Sequence, residues 1–217
     1  MKFLKIAACT MVSLSFGAAQ AESLILNGSF ENGSLHSNYS TDVMLVGLGS
    51  TLIPDWTIVG YPGYNIALIG PKNSPVQASV GSQFIDLTGT SYNPIGLGLS
   101  QTINTVAGMR YSLGFDIGNS TIPSSGAFSS VKAIAGGASQ VFTHTGNDGP
   151  SSWRHFSFDF TATGATTDIT FLSAGGGHYI GLDNVSVMAA VPEPQTWGML
   201  LGGLALVGFA ASRRKCA

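Results

Sequence analysis

The chain has 217 residues, of which 9% are charged, with nine Lys and Arg against eleven Asp and Glu and a formal net charge of −2. Five of the nine bases lie near the two ends, so residues 22–190 hold four bases (Lys72, Arg110, Lys132, Arg154) against ten acids, a balance that excludes an electrostatic footprint for nucleic acid. Cys9 and Cys216 also fall in the end segments, which excludes disulfides, thiolate metal sites and cysteine nucleophiles from the body between them.

In chain order, the first element is an export signal. Lys2 and Lys5 precede a nearly charge-free run over 6–19, and Ala19-Gln20-Ala21 places small residues at a cleavage site, so residues 1–21 are expected to leave and Glu22 to begin the mature chain. A lipoprotein signal ending at Cys9 is the alternative, but its apolar segment would be too short.

From Glu22 onward Gly, Ser, Thr and Asn dominate, a composition suited to short strands joined by turns and poor for long helices. Strands are predicted at 24–27, 43–46, 56–59, 65–69, 83–87, 97–103, 109–117, 129–135, 140–143, 153–160, 167–172 and 182–187. The alternation is clearest where Tyr111, Leu113, Phe115 and Ile117 share one face, and where Phe156, Phe158 and Phe160 line one face against His155, Ser157 and Asp159. Turn pairs such as Pro62-Gly63, Thr88-Gly89 and Gly136-Gly137 separate these runs, and Gly175 to Gly177 is read as another turn. Regularly spaced short strands with one oily face predict a single all-β domain over 22–190, an antiparallel β-sandwich.

The last element runs from Val191 to the end of the sequence given. Residues 197–211 carry no charge, and at about 1.5 Å per residue they cover about 22 Å, so a membrane span needs roughly 195–212 to approach a hydrocarbon core of about 30 Å. Arg213, Arg214 and Lys215 would hold the cytoplasmic side and leave the body outside. Val191-Pro192-Glu193-Pro194, the apolar stretch and the basic cluster, in that order over 191–217, resemble the PEP-CTERM sorting signal of Gram-negative bacteria. The resemblance implies an exosortase that cuts near Pro-Glu-Pro, an inner-membrane intermediate, and delivery to the cell surface or extracellular matrix.

The stretches LILNGSFENG, IPDWTIVG, GSQFIDLTGT, LSQTINTVAGMRYSLGFDIGN, RHFSFDFTATGATTDITFLS and GLDNVSV together resemble the choice-of-anchor C family and, more distantly, galactose-binding-like jelly rolls found in carbohydrate-binding modules. That second resemblance implies a structural calcium shared by Glu31, in Asn-Gly-x-Phe-Glu, and Asp183, in the closing Asp-Asn-Val strand. Calcium takes six to eight oxygen ligands, so turn carbonyls near Asn27 and Asn184 would have to help; otherwise the two carboxylates hydrogen-bond turn backbone without a metal.

Sugar stacking needs exposed aromatic faces. Tyr61 and Tyr64 flank Pro62-Gly63, Tyr92 lies in GTSYNPIG and Tyr179 follows His178; these four tyrosines are the candidate sugar-binding residues. Trp153 is a further aromatic of this kind, while Trp56, at the start of an apolar strand, is expected in the core. Four scattered histidines, no H-E-x-x-H and no G-x-S-x-G argue against catalysis. A glycosidase would need two facing carboxylates, and spacing alone does not bring Asp116, Asp159 or Asp183 together. The expected protein is a non-catalytic surface or matrix component that binds polysaccharide. The alternative is a structural or adhesion component that binds protein.

Overall fold

The computed structural model describes residues 22–35, 42–72, 77–90, 95–119, 128–146, 152–177, 179–190 and 203–204. Eleven strands run through the described body: β1 Val43–Gly47, β2 Thr57–Val59, β3 Asn65–Ile69, β4 Phe84–Asp86, β5 Ile95–Asn104, β6 Arg110–Asn119, β7 Ser129–Ala135, β8 Ala138–His144, β9 Ser152–Thr161, β10 Thr166–Gly176 and β11 Ile180–Ala189. They form two antiparallel sheets, six strands in the order β1-β3-β4-β11-β6-β9 and five in the order β2-β5-β10-β7-β8. This is the sandwich that the alternation predicted.

The inner faces meet where the oily stripes point. Tyr111, Leu113, Phe115 and Ile117 of β6 and Leu182, Val185 and Val187 of β11 face Leu99 of β5, Val131 of β7 and Ile169 and Phe171 of β10 in one buried cluster. Phe115 sits at the crossing, edge-on to Phe171 at 4.9 Å and to Phe142 at 5.2 Å. Each fully buried side chain of this size contributes about 1.5–3 kcal/mol relative to exposure, so this seam carries the fold.

Antiparallel pairing gives the sandwich two ends. One holds the end of β6 (Asn119) and the starts of β3, β9 and β11, with the 60–64 turn; the other holds the β7–β8 hairpin and the start of β6 (Arg110). A bulge in β11 after Asp183 lets its inward pattern continue: Asp183 pairs with Asp116, Ser186 with Gly114, and the intervening Asn184 takes φ 52°.

Two sequence expectations change. Residues 24–27 do not form a strand, because they bridge the sheets: Leu24 N donates to Val187 O of one sheet, and Leu26 exchanges hydrogen bonds with the Gln101 side chain of the other. Asn27 then turns away with φ 50°. Gly175 and Gly176 end β10 rather than forming a free turn, paired with Ser130 and Ser129 beyond a bulge. Among the described residues no helix is long and apolar enough to cross a membrane. The expected span at 195–212 lies outside them except for Gly203 and Leu204, and the export signal at 1–21 lies wholly outside.

Candidate functional site

The outward face of the six-stranded sheet is partly roofed. Asp183, Asp116 and His155 are cross-strand neighbours on β11, β6 and β9, and the segment 77–83 lies over the two carboxylates. Asp183 Oδ2 accepts Ser79 N and Val80 N, both at 2.9 Å, and its Oδ1 accepts Asn184 N at 2.7 Å. Asp116 Oδ2 accepts Ser79 Oγ at 2.6 Å and Asn184 Nδ2 at 3.1 Å, while His155 Nδ1 donates to its Oδ1 at 2.6 Å. Glu31 anchors the far end of the segment: Oε1 accepts Ser82 N and Gln83 N, both at 2.7 Å, and Oε2 accepts Ser82 Oγ at 2.8 Å.

Burial pushes Asp183 up to about 7 against the pull of its three backbone N–H donors, with the nearby Asp116 charge adding to the rise. Asp86, one strand over on β4, is also raised by burial, to about 6, although Thr88 donates to it from both N and Oγ1. Glu31 and Asp183 are thus brought to one segment, and the partners in these contacts are N–H and O–H donors rather than oxygens. Among the described residues no group of three or more His, Cys, Asp and Glu side chains is placed to hold a metal ion. As arranged, each of the two carboxylates accepts three hydrogen bonds and keeps one oxygen with a single donor, Asp183 Oδ1 and Glu31 Oε2.

The aromatic candidates separate into packed and exposed. Trp56 lies in the core, tilted against Phe30 at 5.5 Å, with Nε1 donating to Asn27 O at 3.0 Å. Trp153 lies across the outward face, edge-on to Phe84 at 5.3 Å, and Nε1 donates to Gln77 O of the roofing segment at 2.9 Å. Its indole rests on Gly118 and Gly181, where an added Cβ would stand 2.8 and 2.7 Å from ring carbons; only glycine leaves that bed open. Tyr179 is half-buried against Ala67, Ile69 and Phe84 with φ 60°, and its N donates to Thr88 Oγ1 at 3.3 Å.

Tyr61 and Tyr64 behave differently. They are 58% and 51% exposed on the β2–β3 turn, closed by Tyr64 N donating to Tyr61 O at 3.4 Å, and the Tyr61 ring lies against Gly96. Exposed Ile95, which starts β5, and exposed Phe128, just before β7, lie at this same end. Tyr92 and His178 lie outside the described residues, as do Val191, Pro192, Glu193, Pro194, Arg213, Arg214 and Lys215.

Sequence spacing missed the Asp183–Asp116–His155 row. Alternation put Asp116 and His155 outward on their own strands but Asp183 on the face of Val185 and Val187; the register shift after Asp183 turns it outward, and the strand register makes the three neighbours. Asp116, expected on a solvent face, is buried beneath Ser79 instead. The two carboxylates sit side by side yet under cover, and Asp159 is far along β9, paired with Arg110 at 3.6 Å.

The architecture defines the class first: an all-β antiparallel sandwich of two sheets. It resembles a family 61 carbohydrate-binding module solved with β-1,4-galactotriose (TM-score 0.48, 13% identity, covering 78% of this chain and 99% of that one). It also resembles a family 16 module (TM-score 0.43, 18% identity, 76% and 99%). A third likeness is to an arabinose-bound α-L-arabinofuranosidase (TM-score 0.50, 13% identity), of which the match covers 28% against 82% of this chain, so neighbours of the fold include parts of enzymes. At 13% identity the arabinofuranosidase likeness speaks to the fold alone. The chain belongs to the family described as Protein of unknown function (DUF642), matched over residues 23–181. Residues 190–215 match the PEP-CTERM protein-sorting motif, which marks the protein for export to the cell surface and implies exosortase processing. No curated protein matches the sequence.

Proposed function

We propose that the protein is a non-catalytic surface or matrix component of a Gram-negative bacterium that binds extracellular polysaccharide at the Tyr61–Tyr64 end of the sandwich. The observation that carries this is the contrast among the aromatics: Trp56, Trp153 and Tyr179 are engaged in packing, while Tyr61 and Tyr64 present more than half their surface to solvent on a turn held between two sheets. Aromatic faces on a rigid mount are what the C–H faces of sugar rings stack upon, with little ordering cost on binding. In this reading residues 195–212 hold the exported body in the inner membrane, Arg213, Arg214 and Lys215 stay inside, and exosortase cuts near Val191-Pro192-Glu193-Pro194.

The roof over Asp116 and Asp183 favours binding over hydrolysis, because a glycosidase needs both carboxylates open to the substrate. Calcium at Glu31 and Asp183 would draw on the Asp183 Oδ1 and Glu31 Oε2 lone pairs, and loss of retardation in a run with excess EDTA would support it. Affinity electrophoresis of the full-length protein in detergent, in gels containing galactan, mannan or xylan, should show retardation that Tyr61→Ala/Tyr64→Ala reduces about tenfold, the loss of about 1.4 kcal/mol of stacking. Unretarded migration in every gel, with concentration-dependent self-association instead, would support the protein-binding alternative.

A further inference from the structure

The end of the sandwich opposite Tyr61 and Tyr64 holds a second feature. The β7–β8 hairpin turns through Gly136 and Gly137, both with positive φ (57° and 80°), between the paired Ala135 and Ala138. This two-residue turn folds back tightly because both positions are glycine. A Cβ at Gly136 would stand 2.6 Å from the Thr161 carbonyl oxygen, so the hairpin tip presses directly on the end of β9. Beside that contact lies a hollow of about 620 Å³ lined by Arg110, Gly136, Ala138, Asp159, Thr161 and Thr163. Its volume falls in the range of about 300–1,000 Å³ typical of small-molecule sites.

Arg110 and Asp159 are the charged side chains of this lining. They lie 3.6 Å apart with 69% and 59% of their side-chain surface open to solvent. An ion pair so exposed contributes at most about 1 kcal/mol to folding, so stability gives little reason for it. As a recognition element it is well matched to sugar. A vicinal diol offers two O–H donors and oxygen lone pairs; a guanidinium donates to the oxygens and a neighbouring carboxylate accepts the hydrogens. The Thr161 and Thr163 hydroxyls add groups that both donate and accept. The excess of acids over bases in residues 22–190 disfavours an anionic polymer here and favours a neutral one.

We infer that the hollow around Arg110 and Asp159 is a second sugar-binding site, specific for neutral vicinal diols, and that the protein bridges polysaccharide chains by holding one at each end. The inference rests on the reading of Tyr61 and Tyr64 as a sugar site. β6 and β9 each run the length of the sandwich in ten residues, which at about 3.3 Å per residue separates the ends by about 30 Å. The two sites therefore engage different chains, or distant parts of one.

Two measurements on the full-length protein in detergent micelles test it, with β-1,4-galactohexaose and β-1,4-mannohexaose as soluble probes and galactan- or mannan-coated beads. The wild type should bind two hexasaccharides per chain in calorimetry and agglutinate the beads. Arg110→Ala/Asp159→Ala should bind one, lose agglutination and stay on immobilised polysaccharide; Arg110→Lys/Asp159→Asn should weaken the second site about tenfold. Tyr61→Ala/Tyr64→Ala should also bind one and lose agglutination. A melting temperature unchanged in the Arg110/Asp159 variants shows that the loss is not unfolding. A wild-type stoichiometry of one that Tyr61→Ala/Tyr64→Ala abolishes, or bead agglutination that survives Arg110→Ala/Asp159→Ala, overturns the second site and leaves the tyrosine site standing. No binding of either probe by the wild type overturns both.

Discussion

The two faces of the six-stranded sheet are built on opposite principles. Its inward face is sealed by aromatic and branched side chains, with Phe115 wedged between Phe171 and Phe142. Its outward face, over the β4-β11-β6 strands, buries Asp183 and Asp116 beneath a backbone segment and Asp86 beside Thr88. The first kind of burial is insensitive to pH and carries most of the stability. The second depends in part on hydrogen bonds to Asp183 and Asp86, whose protonation changes near neutrality, so it adds definition to the surface at the cost of pH dependence.

The contrast is broken most severely on the inner face. Phe171→Ala should destabilise the domain by about 3–5 kcal/mol, read from urea unfolding, because the neighbouring Phe115 and Trp56 cannot collapse fully into the gap. On the outer face Asp183→Ala should cost about 2–3 kcal/mol at pH 5, since it strands the N–H groups of Ser79, Val80 and Asn184. Limited proteolysis should then cut within 77–83, where the wild type resists.

That cost should shrink between pH 5 and pH 8. Asp183 and Asp86 have folded values of about 7 and about 6, above the ordinary 3.8, so the folded state binds more protons than the unfolded one between those limits. Their contribution is therefore full below about pH 4 and is lost as pH rises through 6 and 7. Thermal melts should show stability falling across that window in the wild type and a shallower fall in Asp183→Ala; a rise would contradict the assignment. Gly181→Ala should cost about 1–3 kcal/mol by lifting Trp153 from its bed. Smallest of all, Arg110→Ala should change unfolding by less than about 1 kcal/mol.

Much of the inner face was legible from the chain alone. Period-two runs such as Tyr111-Leu113-Phe115-Ile117 need no partner to declare which side is oily, and Trp56 after its Pro-Asp turn sits in the core as expected. The sorting tail was equally plain, since its three parts are contiguous. The outer face was not legible. Asp116, His155 and Asp183 are separated by dozens of residues and meet only through the register of three strands, set by the bulge at Asn184. Residues 24–27 look like a strand because their apolar content is right, yet their hydrogen bonds go to two different sheets. Tyr179 looks like Tyr61 in sequence, and only its packing against Ala67, Ile69 and Phe84 distinguishes them.

The indole of Trp153 has one use beyond packing. Because its N–H is tied to the Gln77 carbonyl while Trp56 is sealed in the interior, the two rings report on different places. Lifting of the 77–83 segment would shift Trp153 emission to longer wavelengths and leave the Trp56 band in place, so the molecule carries its own optical gauge of that movement.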